Sequence, residues 1–353
     1  MKKQQEAQRR PRHATPRHSR KSAALPFPLQ AAAQPGVTRR RRSAMAGGVD
    51  LPVVDLASQD LRAAAASVRQ ACVEHGFFYV TNHGVDGALI EAVFAESKGF
   101  FDLPMEEKMK LQRRNHRGYT PPYAEKLHAS SEFVGDLKES FYIGPIGDSD
   151  LQNDLNQWPS EECFPSWKET MKWYIATVLD TGKRILSLIA LGLDLDAEFF
   201  HKIGALDCPS MFLRLLHYPG EVNESDSGNY GASAHSDYGA ITLLVTDGTP
   251  GLQICREKDR DPQLWEDVHH IDGAFIVNIG DLLERWTNCV FRSTLHRVVA
   301  VGKERYSVAF FLDPNYDTVV QCIESCCSEA DPPRFPPIRS GEYITGRINS
   351  TYK

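Results

Sequence analysis

The spacing of apolar positions divides the chain into a largely helical first half and a strand-rich second half. Leu51-Pro-Val-Val-Asp-Leu56 predicts a short strand at the start of the folded part. Over residues 58–75, Leu61, Ala65, Val68 and Cys72 recur at helical spacing, and Gly76 follows as a stop. Phe77-Phe-Tyr-Val-Thr81 reads as a strand and Asn82-His-Gly84 as a turn. A second amphipathic helix is expected over residues 86–101, with Leu89, Val93 and Phe100 on one side. Residues 115–150 have little periodicity beyond Glu139-Ser-Phe-Tyr-Ile143 and are rich in Gly, Pro and Tyr. They are expected to form a long functional loop. A long helix follows over 166–191, with Trp167, Met171, Tyr174, Val178, Ile185 and Leu188 on its apolar face and Gly192 as its end.

Beyond Pro209 the texture changes to short β runs separated by turns, at 211–217, 240–245, 252–255, 274–279, 297–301 and 307–312. Helices leading into short strands predict a mainly β fold with α, a barrel or jelly roll braced by a helical layer. A last helix at 342–350 is expected to pack on the outside. Repeats and heptads are absent from the sequence.

Charge changes this picture at one end only. Residues 1–45 hold 12 Lys/Arg and a single acid, Glu6, leaving 28 basic and 45 acidic residues, or −17, for the remainder. An acidic body is a poor match to nucleic acid. The leader, with Arg39 to Arg42 in a row, reads as a disordered extension; a plastid or mitochondrial transit peptide and a basic nuclear-type patch are the alternatives. Met45 opens Met-Ala-Gly-Gly just before the folded region, as an internal start would. With 42% apolar residues, no apolar run approaches the roughly 20 residues of a membrane span. The eight Cys lack paired spacing, which suits a reducing compartment; Cys322, Cys326 and Cys327 cluster without a fourth ligand for zinc.

Candidate chemistry lies in the β half. His235 and Asp237 are two apart, so in extended chain both project from one side. Gly231-Ala-Ser-Ala gives them a small-residue approach, and a second imidazole, His296, follows 59 positions beyond Asp237. Singly such residues are more often structural. Together they make a set of two His and one carboxylate that occupies one face of an ion, which points to non-haem Fe(II) oxygen chemistry. Arg305 and Ser307 are again two apart. A buried Arg needs an anion, and a guanidinium fork beside a hydroxyl is a receptor for one carboxylate. The alternative is that Arg305 pairs with a protein acid on a solvated face. Phe310, Phe311 and the loop from Tyr119 to Tyr142 are candidates for a substrate wall, with core packing as the competing role.

The string His235-x-Asp237…His296…Arg305-x-Ser307 resembles the plant Fe(II)/2-oxoglutarate-dependent dioxygenases, among them flavonoid and gibberellin oxidases. It is also similar to isopenicillin N synthase and aminocyclopropane-carboxylate oxidase. The likeness runs from residue 50 onward. Leu51-Pro-Val-Val-Asp-Leu, His75-Gly-Phe-Phe-Tyr-Val-Thr-Asn-His-Gly, Phe101-Asp-Leu-Pro and Arg117-Gly-Tyr carry it in an N-terminal module. Pro250-Gly-Leu-Gln, Val277-Asn-Ile-Gly-Asp281 and Leu295-His-Arg297 carry it in a catalytic module.

Composition sets off a disordered basic leader at 1–48, and the resemblance implies an α+β module at 49–159 and a helical brace with a double-stranded β-helix (jelly-roll) and C-terminal helix at 160–353. It implies Fe(II) held by His235, Asp237 and His296, 2-oxoglutarate gripped by Arg305 and Ser307, and Tyr218 beside the cosubstrate. One departure is Leu216-His217-Tyr218-Pro219, where the family often has Asn-Tyr-Tyr-Pro. Phe311 and Tyr119 are the candidate substrate contacts. The implied reaction hydroxylates or desaturates a small metabolite, in plant secondary metabolism, with dioxygen consumed and succinate and carbon dioxide released. Ascorbate is a candidate reductant. A cytoplasmic monomer without nucleic-acid or membrane partners is expected, or a plastid protein if the leader is a transit peptide. An Fe(II) oxidase that spares 2-oxoglutarate, a silent ligand-binding barrel and a zinc hydrolase are the alternatives.

Overall fold

Period-two alternation, with apolar side chains on one face and mixed ones on the other, organises the strands into two facing sheets. The computed structural model describes residues 48–125, 135–146, 155–220 and 230–351, so the leader up to residue 47 lies outside the described residues. In chain order the strands are β1 (Val53–Asp55), β2 (Phe77–Thr81), β3 (Gly118–Thr120), β4 (Glu139–Ile143), β5 (Pro209–Tyr218) and β6 (Ala232–His235). They continue with β7 (Ile241–Thr246), β8 (Leu252–Cys255), β9 (Glu266–Asp267), β10 (Phe275–Ile279), β11 (Leu295–Val298) and β12 (Arg305–Asn315). The large sheet has the order β1-β2-β10-β7-β12-β5-β4-β3 and the small sheet β6-β11-β8-β9. Only β1 and β2 pair in parallel among these strands.

The large sheet separates two apolar clusters. Phe78, Val80, Leu213, Leu215, Leu243, Val277, Val308 and Phe310 face one way and pack against the helices. Their alternates Phe77, Tyr79, Leu216, Tyr218, Ile276 and Ala309 face the small sheet, meeting Ala232, Leu252, Ile254 and Val298. This is the jelly-roll expected, as two sheets packed face to face rather than one closed barrel. Residues from both expected modules, such as Val54 and Phe141 beside Val178 and Leu312, share the helix-side core.

Helix α1 (Leu61–Glu74) starts where the Asp60 side chain accepts the Ala63 N–H at 3.0 Å, and α2 (Gly87–Phe101) where Asp86 accepts that of Ala88 at 3.0 Å. The long helix α3 (Trp167–Gly192) crosses the back of the sheet. Its Arg184 donates to the carbonyls of His83 at 3.0 Å and Leu56 at 2.9 Å, tying both loops to the brace. Gly192 does not terminate it by a turn: it is the last helical residue, and a Cβ there would come within 3.1 Å of the Ala65 carbonyl in α1. Close helix approach, not backbone freedom, explains this glycine.

Two expectations shift. The run placed at 297–301 is the strand Leu295–Val298, which takes His296 inside the ladder. The loop expected over 115–150 contributes β3 and β4 to the sheet edge, while its residues 126–134 and 147–150 lie outside the described residues. No described helix is long and apolar enough to cross a membrane.

Trp167 is fully buried, with its ring 5.4 Å from that of Phe100 and 5.6 Å from that of Phe141. Trp167→Ala is expected to lower unfolding free energy by about 3–5 kcal/mol. Denaturant titration checks this, and a loss below about 1 kcal/mol would contradict the packing described.

Candidate metal centre and adjoining chambers

His235 ends β6 and His296 is the second residue of β11, and the two are direct cross-strand partners. Each ring is oriented by a carbonyl two residues earlier. His235 Nδ1 lies 2.7 Å from the Ser233 oxygen, and His296 Nδ1 lies 3.2 Å from that of Thr294. A proton on Nδ1 satisfies each carbonyl and leaves both Nε2 lone pairs free. Burial first, and the neighbouring His296 second, push the His235 imidazole below its ordinary pKa, so it is neutral at pH 7.

Asp237 is not in the extended strand, as the two-residue spacing suggested, but in the connection after β6. Its carbonyl accepts the Asp281 N–H at 2.8 Å. Its Oδ2 accepts from Thr242 Oγ1 at 2.5 Å and Asn278 Nδ2 at 2.8 Å. Oδ1 is left facing the imidazoles, 3.8 Å from His235 Nε2 and 3.6 Å from His296 Nε2. Those gaps are too long for hydrogen bonds and have the scale of ligands sharing one ion. Burial alone would raise the Asp237 carboxyl; the two imidazoles and the two hydrogen bonds override it and hold it ionised. The three donor atoms lie within 4.8 Å of one another, and the donor set fits ferrous iron. Sequence reasoning missed Thr242 and Asn278. The signal was present in Thr242, a polar residue in an apolar strand, and in Asn278 within Val277-Asn-Ile-Gly-Asp281.

A chamber of ≈570 Å³ opens beside this set, with Arg305, Ser307 and Tyr218 in its wall. Arg305 and Ser307 share the cavity face of β12, with Arg305 Nη1 donating to Ser307 Oγ at 3.2 Å and Nε to the Thr249 carbonyl at 3.3 Å. The Arg305 guanidinium lies over the Tyr218 ring at 4.9 Å, across a register that pairs the two residues. Arg305 is 2% exposed, yet no acidic side chain pairs with it among the described residues. The solvated ion pair held as the alternative is therefore not what is seen. Leu216 turns its apolar side chain to the same chamber, and His217 points away, with Nδ1 2.7 Å from Glu139.

A second chamber of ≈690 Å³ shares His235, Asp237, Arg214 and Phe311 with the first. Phe311 lies on its wall, whereas Phe310 is in the helix-side core. Tyr119 does not reach either chamber: it is fully buried, bonded through its hydroxyl to Glu139 and packed on Phe100. Its side chain takes the helix-side face of the sheet, in the core with Phe100 and Phe141. The C-terminal helix α4 (Ser340–Thr351) does not merely cover the outside, because Ile344 and Ile348 line this chamber. It is held by Arg347, which pairs with Asp281 at 2.5 Å and lies 4.3 Å over the Tyr238 ring. Buried Lys138, between Glu125 at 2.9 Å and Asp136, joins Arg214 on the wall of the first chamber.

The sequence patterns of two families match in order. That of the non-haem dioxygenase in morphine synthesis N-terminal region covers residues 51–161, and that of the 2OG-Fe(II) oxygenase superfamily covers 209–314. Kihadalactone A synthase LFS of Citrus sinensis is 42% identical over 314 residues, covering 85% of this chain and 93% of that one. Azadirone synthase LFS of Melia azedarach is 39% identical, covering 86% and 93%. The crystal structure of a full-length Neurospora crassa protein in complex with alpha-KG and thymine superposes with a TM-score of 0.76 at 30% identity, covering 86% and 98%. Matching sequence, fold and donor set together make this an Fe(II)- and 2-oxoglutarate-dependent oxidoreductase, and the chain belongs to the 2OG-Fe(II) oxygenase superfamily.

Proposed function

We propose that His235, Asp237 and His296 hold Fe(II), that Arg305 and Ser307 bind the distal carboxylate of 2-oxoglutarate, and that an apolar metabolite occupies the larger chamber. The observation that carries this reading is the buried Arg305, without an acidic partner among the described residues, in a chamber shared with the three-ligand cluster. When bound, iron supplies the oxidative decarboxylation of 2-oxoglutarate by dioxygen and the attack on a substrate C–H bond, giving hydroxylation or desaturation with succinate and carbon dioxide.

The chain's own residues supply position, charge and dryness. Thr242 and Asn278 engage one Asp237 oxygen and so present the other to the metal. The two Nδ1 contacts keep the imidazoles aimed at the same point. Arg305 fixes the cosubstrate at its far end, and Tyr218 supports the guanidinium face. The metal and Arg305 together offset the charges of Asp237 and a dicarboxylate, so the buried chamber is neutral when filled. Phe311, on the wall of both chambers, with Leu216 in the first and Ile344 in the second, makes the surroundings of the site apolar. The plant synthases among the relatives support a substrate from specialised metabolism. A monomer in the cytoplasm, or in plastids by way of the leader, accords with this reading.

Asp237→Ala is expected to lower Fe(II) affinity more than 100-fold, on the order of the loss of an ion ligand. Anaerobic titration reads this, and wild-type affinity and turnover in the variant would refute the ligand set. Asn278→Ala should weaken metal binding by about 10–100-fold with the fold intact, and unchanged affinity would remove its supporting role. Arg305→Ala should raise the apparent KM for 2-oxoglutarate by about 10–100-fold and leave metal affinity near wild type. Product formation without equimolar succinate would instead favour an oxidase whose own substrate carboxylate meets Arg305.

A further inference from the structure

We propose that Asp313 is the polar anchor of the larger chamber and that it selects an apolar substrate bearing a hydroxyl group. This rests on the assignment of that chamber to the organic substrate.

One face of β12 reads Arg305, Ser307, Ala309, Phe311 and Asp313, from the anion-binding end to the opposite end of the cavity. Asp313 is 4% exposed and lies on the chamber wall. Its Oδ1 accepts the Ala240 N–H at 3.1 Å, while no hydrogen bond to Oδ2 is made among the described residues. The backbone beneath is shaped to seat this carboxyl. A Cβ on residue 239 would fall 1.4 Å from Asp313 Oδ1, and Gly280 backs Gly239 so closely that its own Cβ would meet the Gly239 carbonyl at 2.3 Å.

Holding Ala240 uses one oxygen and leaves the second facing a largely apolar space. The other walls include Tyr142, Phe212, Phe311, Ile344 and Ile348. Burial pushes the Asp313 carboxyl up to about 7, so both protonation states are accessible near neutral pH. A hydroxyl both donates and accepts, and so it pairs with Oδ2 in either state. An ether or ketone pairs with the acid alone. A substrate ammonium pairs with the carboxylate alone. One residue, Leu312, separates Asp313 from Phe311, which places the two side chains on the same strand face about 7 Å apart along β12.

The test uses the full chain loaded with Fe(II) under argon, with and without 2-oxoglutarate. Binding of 2-naphthol and 2-methoxynaphthalene, which differ in the hydroxyl donor, is followed by calorimetry or naphthalene fluorescence. At pH 8, where the carboxylate form predominates, wild type should bind the alcohol about tenfold more tightly than the ether. Asp313→Asn retains shape and an acceptor for Ala240 but puts a donor in place of Oδ2; the ratio should fall to within about twofold. Asp313→Leu should give the same levelling. A merely structural role would weaken both probes equally and preserve the ratio. Equal wild-type affinities, no measurable binding of the alcohol, or a preference surviving in Asp313→Asn would overturn the proposal. Loss of 2-oxoglutarate binding alone would bear on the iron and Arg305 assignments, since the probe ratio is read separately.

Discussion

Alternate residues of β12 face opposite sides of the large sheet, and the whole site depends on that separation. Tyr306, Val308, Phe310 and Leu312 anchor the strand in the helix-side core. That anchoring leaves Arg305, Ser307, Phe311 and Asp313 fixed along one cavity wall. The same division in β5, β7 and β10 sends Tyr218, Thr242 and Asn278 inward while Leu215, Leu243 and Val277 pack behind. A strand face packed against the α1–α3 layer cannot slip by one residue without burying the polar set in the core and exposing apolar side chains to the chamber. Stability and site geometry are thus held by one constraint.

Electrostatics gives the constrained face its chemistry. Asp237 is buried among neutral hydrogen-bond donors and two imidazoles, and Arg305 is buried among a hydroxyl, a carbonyl and an aromatic face. Neither charge is neutralised by a protein ion of opposite sign at hydrogen-bonding distance among the described residues. Such groups are costly unless a ligand completes them, and a cation and a dianion complete both at once. By contrast, Lys138 and Arg214 meet Glu125 within the protein, which suits a wall that keeps its shape rather than one that awaits an anion.

Much of this was legible in the residues. The helix around Trp167 to Leu188 followed from its apolar spacing, and the strand Phe77–Thr81, buried on both faces, from its continuous run of aromatic and β-branched residues. The three-ligand set and Arg305 with Ser307 were visible because their chemistry is unusual in combination. Tyr119 was misread, since an aromatic in a Gly- and Pro-rich stretch has no period to say which way it faces; its hydroxyl is spent on Glu139 in the core. The role of the C-terminal helix was also hidden. Ile344 and Ile348 look like ordinary core contacts until the fold brings them over the cavity. Thr242, Asn278 and Asp313 each sit within two residues of a core residue, and only the pairing of strands reveals what lies opposite them.

Whether metal and anion receptor form one site is the central physical claim. The direct measurement is equilibrium binding of 2-oxoglutarate to the full chain without oxygen, with and without Fe(II), followed by calorimetry and visible absorption. The account predicts one equivalent bound to the iron-loaded protein with a visible iron-to-keto-acid charge-transfer band, and far weaker binding without iron. Equal affinity in both forms, or tight binding with no such band, would mean that the arginine end and the imidazole end of the cavity do not share a ligand.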